Sequence, residues 1–264
     1  RSTQRFRSKV GLVSAAVSDY SQIEALVQGL QDLQIQVSVS SLRVDPLPES
    51  LLAALANTGT RTLTVAPEAG SQRLRSAIRK GISRQDILEA ARRAHQHDFP
   101  ELKLYFMVGL PGEEQQDVRA IIELVDDVAR VFRRRVLVSV ACFVPKAHTP
   151  FERQPMAPVP LLRKRLRKIR GGLGSAGARM TSESPAWASV QAVLARGDRR
   201  LSPVLASLQA PTLADWKQAM NIHDLHTEDY TRIRTEDERL PWSFLDVGVS
   251  RHSIHITGKG EDSS

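Results

Sequence analysis

The strongest constraint on this sequence is a regular alternation of short strand patterns with longer helical patterns over its first two thirds. Residues 9–17, 35–42 and 60–66 have the β-branched, apolar or period-two character of strands. Residues 102–108 and 135–144 continue the series. Strands that alternate with helices form right-handed βαβ units and a parallel sheet. The pattern therefore predicts an α/β fold, either a partial or full β/α barrel or an open doubly wound sheet.

The intervening segments show the i, i+3, i+4 spacing of apolar residues that is typical of amphipathic helices. One of them begins with Ser83 and has Asp86 three residues later, which predicts a capping box. The sequence predicts helices over residues 22–33, 48–56, 71–79, 83–97 and 114–132.

The character of the chain changes after residue 152. Residues 153–160 are rich in proline and are typical of a linker. Short helical patterns follow, interrupted by a strand pattern at 178–182. We therefore predict a small, mostly helical C-terminal extension. The expected organisation is a core domain over residues 1–152, the extension over 153–255 and a disordered tail over 256–264.

Cysteine content and charge limit the possible functions. The 264 residues include one cysteine, so a disulfide scaffold is excluded and a reducing, cytoplasmic compartment is expected. The formal net charge of +8 is compatible with a nucleic-acid partner, an acidic ligand or simple solubility. The longest apolar run, residues 136–144, is far shorter than the ~20 residues of a membrane span.

Chemistry is expected in the loops that follow the carboxyl ends of the parallel strands. Glu68 follows the third strand pattern and can accept hydrogen bonds from a ribose or an ammonium group, or can pair with a nearby basic residue. Gly70 allows the backbone to approach a ligand closely, and Ser71 can cap the next helix. His148, after the fifth strand, is either an acid–base group or a loop histidine without chemistry.

Two further features lie on the fourth strand pattern and after it. Lys103 and Tyr105 are two residues apart, so they share one face of the strand. Polar side chains there indicate a ligand cavity or a hydrogen-bonded core site. Gly109, Leu110 and Pro111 form a tight turn that can pack against a flat ring or a sugar.

The segment 163–170 is a dense run of basic residues. One interpretation is a solvated helix face, and the other is contact with a phosphate backbone. The run contains no aromatic residue that could stack on unpaired bases.

Taken in order, these loops resemble the core of the radical S-adenosylmethionine (radical SAM) family, most closely its cobalamin-binding-type branch. The resemblance covers residues 9 to about 250 and rests on the segments SLRVD (41–45), APEAGSQRLR (66–75), KLYFMVGLPGE (103–113), FVPKAHTPF (143–151), LARGDRRL (194–201) and LPWSFLDVGV (240–249).

The resemblance implies a partial (β/α)6 TIM-like barrel, of which strands two to six are present, with S-adenosylmethionine (SAM) bound across its carboxyl-terminal mouth. A [4Fe–4S] cluster would cleave SAM reductively to a 5′-deoxyadenosyl radical. Carried over by position, the implied SAM-binding residues are Ser18, Asp19, Ser41, Glu68, Lys103, Tyr105, Gly109, Leu110, Pro111, Val144 and Pro145. The sequence supplies no metal-ligating residue and no assignable catalytic residue.

The sequence departs from the family in one respect. The CxxxCxxC motif that holds the cluster is absent, and Cys142 alone cannot replace it. We therefore expect an upstream cluster-bearing segment outside this chain, with cobalamin as a further cofactor of the whole protein. The isolated chain is expected not to cleave SAM. Two alternatives are a catalytically inactive binding module of the same fold and a basic RNA-binding protein. The substrate cannot be identified, although the charge favours RNA or another macromolecule.

Overall fold

The computed structural model describes residues 9–14, 17–39, 42–45, 47–174 and 177–248. Within these ranges the backbone forms six strands: β1 Lys9–Leu12, β2 Gln36–Val39, β3 Thr62–Glu68, β4 Glu101–Val108, β5 Arg135–Cys142 and β6 Arg179–Ser182.

The same ranges contain ten α-helices, and a single 3₁₀ turn, Val17–Asp19, follows β1. The helices are α1 Ile23–Asp32, α2 Glu49–Asn57, α3 Gln72–Ala77, α4 Arg84–Gln96, α5 Gln115–Phe132, α6 Val159–Gly172, α7 Pro185–Arg196, α8 Leu201–Ser207, α9 Leu213–Ile222 and α10 Thr227–Thr231.

The strands are arranged in the order in which they occur along the chain. β1 pairs with β2, and a second sheet has the order β3-β4-β5-β6. The pairs β1/β2, β3/β4 and β5/β6 are parallel, and one parallel bridge joins Leu42 to Val65 of β3. A doubly wound sheet would instead reverse its strand order at a central switch point. The predicted α/β fold with partial-barrel order is therefore confirmed, and the described strands do not close into a barrel.

One face of the sheet is packed and the other is partly open. Along β4, Leu102, Leu104, Phe106 and Val108 are buried, whereas the residues between them are half-buried. β3 and β5 show the same alternation. The apolar stripe of α5, which contacts β4, is buried as well. The alternation of buried and half-buried residues along the strands therefore indicates a sheet with one covered face, as expected when helices lie on one side.

The predicted helix starts are confirmed where they depend on local hydrogen bonds. Ser83 Oγ accepts a hydrogen bond from Asp86 N at 3.1 Å, and Asp86 Oδ2 accepts one from Ser83 N at 2.7 Å. The predicted helix at 71–79 is shorter in the structure, where α3 ends at Ala77. Arg79 has a left-handed φ of 54°, so the chain cannot continue as a helix through this residue.

Two predicted strands end earlier than expected. β1 stops at Leu12, the residue opposite the last residue of β2, so the apolar run continues beyond the hydrogen-bonded ladder. Similarly, β5 stops at Cys142, three residues before Pro145. The predicted strand at 178–182 is β6, which adds to the sheet beside β5.

Contacts divide the chain into two compact units. The first comprises Arg1–Val108, Gly112–Ala141 and Lys164–Ser182, and the second comprises Gly109–Pro111, Cys142–Arg163 and Glu183–Ser264. The second unit has a small helical core centred on Val193, Val204, Trp216, Met220 and Tyr230. No helix among the described residues has both the length and the apolar character that crossing a membrane requires.

Candidate functional site

The half-buried face of β3, β4 and β5 carries polar side chains. Thr64 on β3 is the register partner of Lys103 on β4, and Tyr105 follows two residues later on the same face. On β5, Ser139 also belongs to the half-buried set. Such a surface is too polar to serve as a core and too enclosed to be ordinary outer surface. We therefore take this polar face as the candidate site.

At the amino ends of the strands, the polar face is internally satisfied. Thr62 Oγ1 donates to Glu101 Oε2 at 2.8 Å, and Arg135 Nη1 donates to Glu101 Oε1 at 2.9 Å. The hydrogen bond from Thr62, together with the charge of Arg135, holds the pKa of Glu101 below its usual value. This end of a β/α sheet serves stability rather than chemistry, and its groups are already paired.

Near the middle of the polar face, Lys103 keeps its hydrogen-bonding capacity. Its Nζ lies 4.7 Å from the centroid of the Tyr105 ring, a cation–π contact that orients the ammonium group. Among the described residues no carboxylate lies within the 4.0 Å of an ion pair to this ammonium. Three N–H donors therefore remain for a carboxylate or a hydroxyl of a ligand.

Glu68 ends β3 in a conformation that non-glycine residues rarely adopt. Its φ is 67°, and the register with β4 shifts between Val65 and Glu68. Its Oε1 accepts a hydrogen bond from Lys80 Nζ at 3.1 Å, so the predicted pairing with a basic neighbour is observed. No hydrogen bond to Oε2 comes from the described residues. Strained backbone of this kind is often found at functional sites and persists only where neighbouring contacts hold it.

The turn after β3 is fixed by close packing on α5. A Cβ at Gly70 would lie 2.2 Å from Ile121 N and 2.5 Å from Ala120 C, so only glycine fits. The next residue, Ser71, caps α3 by accepting from Leu74 N at 3.1 Å and donates to Asp117 Oδ1 at 2.5 Å. The sequence suggested that Gly70 admits a ligand. The structure supplies another reason for it, the approach of the α5 backbone.

Arg73 and Asp117 connect this turn to the turn that follows β4, and sequence reasoning overlooked both. Arg73 Nη2 donates to Gly112 O at 2.9 Å and also to Asp117 Oδ2. Asp117 is 1% exposed and closes a capping box with Glu114 at the start of α5. The Glu114-x-x-Asp117 spacing was a readable signal for the cap, but not for the bond to Arg73.

Arg75 is buried, at 1% exposure, and was also overlooked. Its Nη1 donates to Ala69 O at 3.1 Å and Gly70 O at 2.7 Å, and its Nε donates to Ile82 O at 3.1 Å. Burial, and secondarily the charge of Arg84, lowers the pKa of Arg75. The guanidinium group thus ties the turn after β3 to the segment that precedes α4.

Asp117 remains ionised although it is buried. Burial, the largest influence, acts to raise its pKa. The hydrogen bonds from Ser71, the Glu114 N–H and Arg73 outweigh burial, and the net effect is a pKa of Asp117 below its usual value. The interactions that stabilise the carboxylate are therefore the same ones that hold the two turns together.

The implied residues near the first strand differ in exposure. Ser18 is 3% exposed, and its hydroxyl has no hydrogen-bond partner among the described residues. Asp19 Oδ2 lies 2.6 Å from Arg43 Nη1 in an exposed ion pair. Ser41 lies outside the described residues.

The remaining implied residues belong to the second unit. Gly109 has a φ of 87°, a conformation that favours glycine, and a Cβ there would lie 2.6 Å from Leu162 Cδ2, so the leucine side chain would have to shift. Leu110 and Pro145 are buried, whereas Pro111 and Val144 are half-buried. His148 has a left-handed φ of 55°, and its N–H donates to Glu152 Oε2 at 3.0 Å.

The described residues do not fit an iron–sulfur cluster. Such clusters are held chiefly by several cysteine thiolates. Cys142 is the single cysteine of the sequence and is 5% exposed on the packed face of β5. Nowhere in the described ranges do three or more His, Cys, Asp or Glu side chains form a group that could hold a metal ion.

The chain is similar to known proteins in three respects. A protein of Methanocaldococcus jannaschii, described as uncharacterized protein MJ0966, is 38% identical over 205 residues; the match covers 78% of this chain and 45% of that protein. The chain therefore spans less than half of that relative. A domain of pyruvate-formate lyase-activating enzyme from Bacteroides vulgatus superposes with a TM-score of 0.45 at 10% identity, covering 66% of this chain and 98% of that domain. The sequence model of the Radical SAM superfamily matches residues 4–125. Residues 4–125 of this protein are therefore similar to the Radical SAM superfamily.

Proposed function

We propose that this chain binds SAM on the polar face of β3, β4 and β5, towards the carboxyl ends of these strands. The observation that carries the proposal is the ammonium group of Lys103, which Tyr105 orients and which no described carboxylate neutralises. A cation kept unpaired on a half-buried surface is well suited to bind an anionic group of a ligand.

The chemistry of SAM is complementary to the groups on this face. SAM has an α-carboxylate, an ammonium group, a sulfonium centre and two ribose hydroxyls. Lys103 can donate to the carboxylate, while Glu68 Oε2 can accept from the ammonium group or from a ribose hydroxyl. Thr64, beside Lys103 in the register, can donate or accept. Two charges of opposite sign thus match the two ends of the amino-acid portion of SAM.

The hydrogen bonds around the turn after β3 support the proposal in a second way. Arg73, Arg75 and Asp117 fix the turn before any ligand arrives. A site that is ordered in advance loses less conformational entropy on binding. The left-handed Glu68 is then part of a fixed surface rather than of a loop that must fold around SAM.

The radical chemistry of the superfamily needs an iron–sulfur cluster, and the described residues do not fit one. The proposal for this chain is therefore confined to SAM binding. A sequence with one cysteine cannot supply the usual set of thiolates, so we assign the cluster ligands to residues outside it. The proposed SAM binding is expected both if the chain is part of a radical SAM enzyme and if it is a catalytically inactive module of the same fold.

Isothermal titration of the chain with SAM tests the proposal. We expect saturable binding at or below about 1 mM. The Lys103→Met variant keeps the apolar stem but loses a charged donor, so its affinity should fall at least about tenfold. The matched control is Lys217→Met on the exposed surface of α9, which should bind as the wild type does. Failure of the wild type to bind, or equal losses in the two variants, would refute the proposal.

A further inference from the structure

Helix α6 has most of its apolar residues on one side and most of its basic residues on the other. Three of its apolar residues, Leu162, Leu166 and Ile169, are 0–5% exposed and pack into the protein. The sequence of the helix contains no acidic residue. Its outward-facing part within the first unit carries four cations, which we call the α6 basic surface: Lys164, Arg167, Lys168 and Arg170.

Arg165, the remaining cation of α6 within the first unit, shows what a structural arginine in this helix does. Its side chain is only 14% exposed. Nη1 lies 2.6 Å from Glu113 Oε2, and Nη2 donates to Glu113 O at 2.7 Å. None of the four cations of the α6 basic surface has a carboxylate at ion-pair distance within the described ranges. Arg170 donates to the hydroxyl of Ser182 at 3.0 Å, a contact that leaves its charge uncompensated.

Other helices of the same unit distribute their charges differently. On α4, Arg92 and Arg93 both pair with Glu89. On α5, Asp127 pairs with Arg130 of its own helix and with Arg84 of α4. Most arginines of these two helices therefore have a carboxylate partner, on their own helix or on the other.

On α6, cations three and four residues apart face one another without a counter-ion. Lys164 is three residues before Arg167 and four before Lys168. Arg167 is likewise three residues before Arg170. Like charges at these spacings repel. Such repulsion is relieved when an external polyanion binds.

We propose that the α6 basic surface binds the phosphodiester backbone of a double-stranded nucleic acid, without reading its bases. Clustered Lys and Arg side chains on one helix match the charge of a phosphate backbone. The helix contains no aromatic side chain on which unpaired bases could stack, which favours a duplex over a single strand. Leu161 is the one large apolar side chain of the helix that is exposed, at 37%, which is too small an apolar surface for insertion into a membrane. This inference is independent of SAM binding.

Fluorescence anisotropy with a short labelled RNA duplex tests the inference. The wild-type chain should bind, with an affinity that falls steeply as the salt concentration rises. In the test variant, Lys164, Arg167, Lys168 and Arg170 are all replaced by Gln, which has a similar helix propensity. Binding should weaken at least about tenfold, and the slope of log affinity against log salt should fall by about 3 to 4, since each phosphate contact contributes about 0.9.

A second variant separates this surface from general charge. It replaces four exposed cations elsewhere with Gln: Arg61, Arg79, Arg133 and Lys217. Its net charge changes equally, yet its RNA affinity should stay within about twofold of the wild type, since it keeps the phosphate contacts. Equal losses in the two variants, or no binding by the wild type, would overturn the inference. So would α6-dependent binding to phosphatidylserine vesicles without binding to RNA. Circular dichroism melting checks that both variants remain folded.

Discussion

Arg75 in the first unit and Arg196 in the second are both buried, at 1% and 0% exposure, but they are stabilised differently. Arg75 donates to two backbone carbonyls in the turn after β3, to one just before α4 and to Gln72 Oε1. Arg196 donates to Gln154 O and Arg232 O, while its Nε has no partner among the described residues. Burial, with the nearby charge of Arg234 second, lowers the pKa of Arg196 to about 10.

The difference indicates separate roles for the two arginines. Arg75 fixes the turn after β3, which borders the polar face that we propose as the SAM site. Arg196 ties the end of α7 to the loops at 154 and 232 within the second unit. Both should contribute to stability, but loss of Arg75 alone should also weaken SAM binding. Variants at each position can test this distinction.

The largest effect is expected from Arg75→Met. Three buried carbonyls would lose a charged donor, so the free energy of unfolding should fall by about 3–5 kcal/mol. SAM affinity should also fall at least about tenfold, because the turn is no longer held. Urea denaturation and titration with SAM at a temperature where the variant is folded measure the two effects.

Arg196→Met is the matched control. It leaves two carbonyls without donors but removes the repulsion by Arg234, so the loss should be smaller, about 2–3 kcal/mol. SAM affinity should not change. If both variants reduced SAM affinity equally, or if neither did, the distinction between the two arginines would be lost.

Gly70→Ala is expected to have the next largest effect. The added methyl group would collide with the α5 backbone, which cannot move away, so we expect a loss of about 3 kcal/mol in unfolding free energy. Gly29→Ala is the control, because nothing lies within 4 Å of its Cβ position in α1 and helix propensity predicts a gain of about 0.5–1 kcal/mol. Thermal melts of the two variants would contradict the packing argument if both moved in the same direction.

Asp117→Asn should change the pH dependence of stability. The folded-state pKa of Asp117 is depressed, so its contribution is fully present above its unfolded-state pKa of about 3.9 and is lost as the pH falls through the folded value. The wild type should therefore lose stability in acid more steeply than the variant. At pH 7 the variant should be about 1–2 kcal/mol less stable. Urea denaturation from pH 7 to about pH 2 measures both quantities, and parallel pH profiles would contradict this role.

Arg73→Gln should have the smallest effect on stability. The side chain is 49% exposed, so its ion pair with Asp117 contributes at most about 1 kcal/mol. It nevertheless links the turns after β3 and β4 through Gly112 O, so we expect SAM affinity to fall by about threefold to fivefold. Unchanged SAM affinity would mean that Asp117 and Arg75 hold the turn without it.

Much of the fold follows from local patterns. The alternation along β4 predicted both the buried stripe and the shared face of Lys103 and Tyr105, because side chains of a strand alternate strictly. The capping box at Ser83 was equally readable, since its partners are three residues apart.

Contacts between distant residues could not be predicted in this way. Arg73 and Asp117 are 44 positions apart, and their pairing depends on how α3 and α5 lie on the sheet. Likewise, the neighbours of Gly70 and Gly109, Ile121 and Leu162, are remote in sequence. The sequence could therefore suggest only that these glycines face a ligand, and not that they pack against other parts of the chain. The position of the short strand β6 in the sheet depends on its pairing with β5, which the sequence pattern of β6 alone could not predict.

The central claim is that the polar face of β3, β4 and β5 is where SAM binds. Ultraviolet cross-linking of radiolabelled SAM to the wild-type chain, followed by peptide mass spectrometry, tests it directly. We predict adducts in the peptides that contain β3 and β4, competed away by excess unlabelled SAM and greatly reduced in Lys103→Met. Competable adducts confined to the second unit, or adducts unaffected by the loss of Lys103, would contradict the account.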